Sequence, residues 1–152
     1  MAAPSVTVRI MEDGPRNCVL QVEGYNGGSG GSNLPYTVLV ALSSLGYVND
    51  ERKQRATGLR IDKIRWDLNT EVTLQVMLYW DTTTPPTPGT TNPALVAIGT
   101  KTDNFHDFGG LYAPPGLSGA TGTIGIAALG ATTTVPQSFM MIIYLTKLLS
   151  TP

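Results

Sequence analysis

Along most of the chain, apolar positions recur at every second residue. Val6, Val8 and Ile10 alternate with Thr7 and Arg9. Cys18, Leu20 and Val22 follow one face of a second run, with Gln21 and Glu23 on the other. Tyr36, Val38, Val40 and Leu42 mark a third. Leu59 and Ile61, then Ile64, Trp66 and Leu68, mark a fourth, and Val72, Leu74, Val76, Leu78 and Trp80 a fifth. A period of two is that of a β-strand buried on one face. In the fourth run Ile61 and Ile64 are an odd number of positions apart and cannot share a face of a regular strand. Either Asp62 and Lys63 form a β-bulge that restores the register, or the run is two short strands.

The remaining segments are less regular. Leu95 to Ile98 and Thr121 to Ala127 are short candidate strands. Phe139 to Leu145 is apolar apart from the Tyr144 hydroxyl, which predicts a strand buried on both faces, or one covered on its second face by a partner chain. Between the runs stand turn signals: Asp13-Gly14-Pro15, Asn69-Thr70 and the Pro/Gly segment Gly109 to Gly119. Gly24 to Asn33 and the Thr/Pro-rich Thr82 to Pro93 are expected to be exposed, flexible loops. Only Tyr47 to Thr57 suggests helix, as a short turn capped by Asn49; a solvated loop fits it equally. About eight short strands predict an all-β fold: one antiparallel β-sandwich, jelly-roll-like, over residues 1–152, with residues 1–5 as an N-terminal arm.

Composition narrows the function. Charged residues make up 14% of the chain, against roughly 25% in ordinary globular proteins. Either part of the surface is covered by a partner, or it is polar through Thr, Ser and Gly. A formal net charge of −1 provides no excess to neutralise phosphates, which argues against nucleic acid as the main partner. The single cysteine, Cys18, has no internal disulfide partner and is expected to be a buried, inert thiol. No apolar run reaches the roughly 18 residues of a membrane helix. No signal-peptide pattern follows Met1 to Pro4, so synthesis in a cytoplasm is expected.

Catalytic chemistry finds little support. The one histidine, His106, lies in Asp103-Asn104-Phe105-His106-Asp107, and nothing places a serine beside it. Asp103 and Asp107 with backbone carbonyls are a calcium candidate whose spacing fits no established loop. A carboxylate pair meeting only in space remains open. No cofactor or metal is expected, and the chain is read as non-enzymatic. The candidate contact residues are instead Tyr25, Tyr47, Tyr79 and Tyr112, with Phe105, His106, Pro114, Pro115 and the basic loop cluster Arg52, Lys53 and Arg55. Trp66 and Trp80 are in phase with core positions; Tyr79 is on the opposite phase and is expected at the surface.

The order of segments carries a resemblance. A Gly-rich loop is followed by Tyr36 to Leu42 (YTVLVAL), Leu59 to Leu68 (LRIDKIRWDL) and Leu74 to Asp81 (LQVMLYWD). Then come a Pro-rich loop, Asp107 to Leu111 (DFGGL), Thr121 to Ile126 (TGTIGI) and a closing strand ending Ile142 to Lys147 (IIYLTK). From Tyr36 to Lys147 the chain resembles the small head-decoration, or cement, proteins of tailed bacteriophages. The resemblance implies a jelly-roll-like sandwich on the outside of a phage virion. It would bind the major capsid protein and neighbouring copies of itself, as a dimer or trimer, and bridge capsid subunits. A carbohydrate-binding module, or the receptor-binding fibre or vertex domain of a virion, is the alternative. A small-virus coat protein is disfavoured because no Lys or Arg precedes Arg9.

Overall fold

In a computed structural model, residues 4–26, 32–68, 74–130 and 137–149 are described. They form nine strands: β1 (Ser5–Asp13), β2 (Asn17–Asn26), β3 (Thr37–Val38), β4 (Gly58–Leu68), β5 (Gln75–Thr82), β6 (Leu95–Ala97), β7 (Thr100–Asn104), β8 (Ala120–Leu129) and β9 (Gln137–Leu148). One sheet has the order β1-β2-β9-β4-β7 and the other β3-β8-β5-β6, and every pairing is antiparallel. From β2 onward consecutive strands switch between the sheets, except that β5 and β6 form a hairpin in one sheet, giving orders 2-9-4-7 and 3-8-5-6. This is jelly-roll topology, with β1 added as an outer strand.

The alternation in the sequence selects the inner faces. Cys18, Leu20 and Val22 of β2, and Phe139, Met141, Ile143 and Leu145 of β9, are buried against Val76 and Leu78 of β5 and Ile124 and Ile126 of β8. The register of β4 against β9 shifts between Ile61 and Lys63. Asp62 is therefore the extra residue of a bulge, and Ile61 and Ile64 both reach the core.

Several expectations need correction. Of Tyr36 to Leu42 only Thr37–Val38 is strand, and a 3-10 turn begins at Leu42. Thr100–Asn104 is a strand that its polar sequence hid, because it lies at a sheet edge where alternation is not required. Within the chain Phe139 to Leu145 is buried on one face only; on the other, half-buried Met140 and Ile142 lie between polar neighbours and Tyr144 between Val19 and Lys63. Ser5 belongs to β1 and Gly24–Asn26 to β2, so the arm and the Gly-rich loop are shorter than expected. Residues 1–3 and 27–31, the Asn69-Thr70 turn, and Val72 lie outside the described residues.

The Thr/Pro-rich segment departs in part. Most of it is exposed, as expected, but Pro86 is buried and a Cβ on Gly89 would lie 3.6 Å from Leu129 Cδ1, so the segment approaches the end of β8. β5 and β8 carry a second small core of Met77, Tyr79 and Ala127, with Tyr36 and Leu129 packed against it. Tyr79 is consequently 1% exposed instead of on the surface. Its ring meets the Tyr36 ring edge-on, with centroids 5.9 Å apart. The Tyr36 hydroxyl donates to Asp81 Oδ1 at 2.6 Å. Burial, and then the Asp81 carboxylate, push the Tyr36 phenol far above its ordinary pKa.

Candidate functional site

The bulge at Asp62 organises the most distinctive surface of the molecule. Its backbone carbonyl accepts the Phe105 N–H at 2.7 Å, and Ile61 exchanges both backbone hydrogen bonds with Leu111, at 2.9 and 2.8 Å. The chain between Phe105 and Leu111 is thus held at both ends on the edge of β4. Within it, the N–H groups of Phe108 and Gly110 donate to the Phe105 carbonyl, at 3.0 and 2.8 Å, and the Gly109 N–H donates to the His106 carbonyl at 3.0 Å. Gly109 and Gly110 both have positive φ, of 87° and 91°, a conformation that glycine adopts without steric cost. A Cβ on Gly110 would also fall 2.3 Å from Arg60 Cδ. The result is a tight 3-10 turn that carries Phe108 at its tip, 88% exposed.

The same bulge fixes the polar groups beside that turn. Arg60 Nε donates to Asp62 Oδ1 at 2.6 Å. Its other nitrogens donate to the hydroxyls of Thr146, at 3.1 Å, and Tyr112, at 3.2 Å. Thr146 in turn donates to the second Asp62 oxygen. The guanidinium also lies 5.8 Å from the Tyr112 ring centroid. The Asp62 hydrogen bond, followed by that to Tyr112, raises the Arg60 pKa further. Tyr112 is therefore a half-exposed aromatic held in one position, close to exposed Pro114 and Pro115.

The remaining expected contact residues are scattered. His106 is exposed and lines two shallow recesses of about 350 and 390 Å³ near Asp62. Phe105, expected as a contact residue, is half-buried and packs on the core. Phe105 precedes the turn and its N–H pairs with Asp62, whereas Phe108, the last residue of the turn, is 88% exposed. Arg55 has a structural role: its guanidinium donates to the carbonyls of Ser43, at 3.0 Å, and Leu45, at 2.7 Å, and lies 4.5 Å from the Tyr47 centroid. Lys53 lies over the same ring at 5.2 Å, while Arg52 is exposed. Asn49 Oδ1 accepts the Arg52 N–H at 3.1 Å, the cap that the sequence suggested. Tyr25 stands apart, half-exposed at the rim of a recess of about 600 Å³ over β9, with Glu23, Asp67, Ser5, Thr7 and Ser138 around it.

Asp103 is paired with Lys101 at 3.0 Å on β7. Among the described residues, no group of three or more His, Cys, Asp or Glu side chains is placed to hold a metal ion. A buried polar cluster lies near the β1–β2 hairpin. The Lys147 ammonium, with no exposed side-chain surface, donates to Asp13 and to the carbonyls of Gly14 and Gly46, at 2.7 and 3.1 Å. Asp13 Oδ2 accepts the Gly46 N–H at 2.8 Å. These bonds tie the hairpin, β9 and the segment after the first 3-10 turn into one unit. No family model matches the chain, and neither a curated protein nor a solved structure matches it.

Proposed function

We propose that this is a non-enzymatic structural virion protein, made in the host cytoplasm. It binds the outer surface of a phage capsid and stabilises the shell by bridging major capsid subunits. The observation that supports this reading is Phe108. A fully formed phenyl ring, 88% exposed, sits on a turn anchored at both ends to a rigid sheet. Exposing an aromatic ring costs solvation free energy without a compensating contact in the isolated chain. A fixed aromatic that inserts into a pocket of a partner protein is the usual centre of a binding hot spot. Tyr112, oriented by Arg60, extends the same surface. Preorganisation matters here, because a rigid anchor loses little entropy on docking.

Many modest contacts repeated over a symmetric shell supply the stabilisation, since a copy bridging two subunits binds its second site at high effective concentration. The test is co-sedimentation of the full chain with capsid shells of the source phage that lack it. Saturation at a fixed ratio to the major capsid protein is expected, together with about 30-fold weaker binding for Phe108→Ala, the hot-spot threshold of ~2 kcal/mol. No binding by the unaltered chain overturns the reading.

One observation favours a second reading, glycan binding. The recess beside Tyr25 combines an exposed aromatic ring with two carboxylates and three hydroxyls, a set suited to stacking on a sugar and accepting its hydroxyl protons. Binding on a glycan array that is lost in Tyr25→Ala would move the protein to this class.

A further inference from the structure

Of the four outer strands that the described residues form in the two sheets, three are guarded against pairing. β3 has two residues and β6 three. β7 is short and polar and carries the exposed Lys101–Asp103 pair. Short strands and charges are the usual protection of a sheet edge. The fourth, β1, has nine residues and pairs only with β2 among the described residues. It contains no Lys and no Pro, and between Ser5 and Met11 its one charge is Arg9. β1 is the outer strand of the five-stranded sheet, and the sheet opposite has four strands. Val6 and Val8 are only half-buried, and Ile10 and Met11 are 40% and 54% exposed.

The limits of this edge are built in. Pro4, which has no N–H to donate, precedes Ser5. At the other end the register with β2 shifts between Ile10 and Glu12, so Met11 is a bulge that ends the regular stretch. The segment available for pairing is Ser5 to Met11, and its midpoint is Val8. An antiparallel pair of two identical segments about that midpoint sets Val8 against Val8, Val6 against Ile10 and Thr7 against Arg9. The inner apolar row continues across the junction, no like charges stand directly opposite, and both sandwiches stay on one side of the joined sheet. The arrangement closes with two-fold symmetry.

We propose that β1 is a self-association edge, through which two copies pair antiparallel about Val8 to make one continuous ten-stranded sheet, five from each copy. The inference concerns the chain alone and does not depend on the shell-binding reading. Sedimentation velocity on the full chain over a wide concentration range tests it, with Thr7 as the probe. Thr7 is exposed on the outer face and stands opposite Glu23 within the chain, and opposite the partner copy's Arg9 in the proposed pair.

Thr7→Lys therefore places a like charge against Arg9 across the junction, and Thr7→Glu an opposite one. Each contact occurs twice per dimer, so Thr7→Lys is expected to weaken dimerisation about tenfold and Thr7→Glu to tighten it by about the same factor. Chain stability, read separately by urea unfolding, moves the other way, because Glu23 attracts the introduced ammonium and repels the introduced carboxylate. This opposition separates an interface effect from misfolding. A monomer at every concentration overturns the proposal. So does a dimer whose affinity the two substitutions leave unchanged or shift in the same direction.

Discussion

Phe105 and Phe108 lie three residues apart at the two ends of one turn and differ in burial, the first packed against the core and the second 88% exposed to solvent. The pair gives a direct separation of folding from binding. Phe105→Ala removes packing and is expected to cost about 2–4 kcal/mol in urea unfolding. Phe108→Ala is expected to leave stability within about 0.5 kcal/mol while reducing shell binding. A large loss of stability in Phe108→Ala would show that the ring supports the turn and does not serve a partner.

The Tyr36 ring covers Gly125 so closely that a Cβ there would fall 2.3 Å from its Cζ and hydroxyl. An aromatic ring cannot give way as a flexible chain end can. Gly125→Ala is therefore expected to displace Tyr36, break its bond to Asp81 and uncover Tyr79. The cost should be about 2–3 kcal/mol, seen as a lower urea midpoint and increased near-UV mobility of the tyrosines.

Removing the Lys147 ammonium leaves the carbonyls of Gly14 and Gly46 without this donor and the Asp13 carboxylate with the Gly46 N–H but no cation. Lys147→Met keeps the length of the side chain and is expected to cost about 3 kcal/mol by denaturant unfolding. A cost below about 1 kcal/mol would mean that water replaces the ammonium readily.

The same cluster predicts a pH dependence. Burial pushes the Asp13 carboxyl up, but the Lys147 hydrogen bond, the Gly46 N–H and the charge of the ammonium together outweigh it, and its pKa lies below 3.8. A carboxylate with a depressed folded pKa contributes stability that is present above its unfolded value. That contribution is lost as pH falls through the folded one. The melting temperature of the parent should therefore fall more steeply below about pH 4 than that of Asp13→Asn, which lacks the titration. Parallel curves would refute the assignment.

Burial, and next the negative charge of Asp13, raise the Cys18 thiol to about 11. Thiolate is the reactive form. At pH 8 a thiol reagent is expected to modify Cys18 only at the rate of unfolding, so added denaturant accelerates labelling. Fast labelling under native conditions would contradict the packing of β2.

How much of this was legible in the sequence depends on how local the cause was. Alternation identified the buried faces of β2 and β4 and one face of β5, and the odd spacing of Ile61 and Ile64 flagged an irregularity at Asp62 and Lys63, which the β4–β9 register resolves as a bulge at Asp62 and not as two short strands. The Asn49 cap and the turn at Asp13-Gly14-Pro15 were likewise local. Tyr79 was misplaced because the groups packed around it, Tyr36 and Ala127 with Leu129, are remote from it in the chain. Phe108 passed unnoticed because its exposure follows from two anchors on β4 that exist only once the sheet has formed. The chain by itself determined an alternating all-β fold with little charge. Which aromatics are buried, which one is presented, and which strand is left as an open edge were decided by tertiary structure. Those properties depend on what another part of the chain covers, and periodicity carries no information about that.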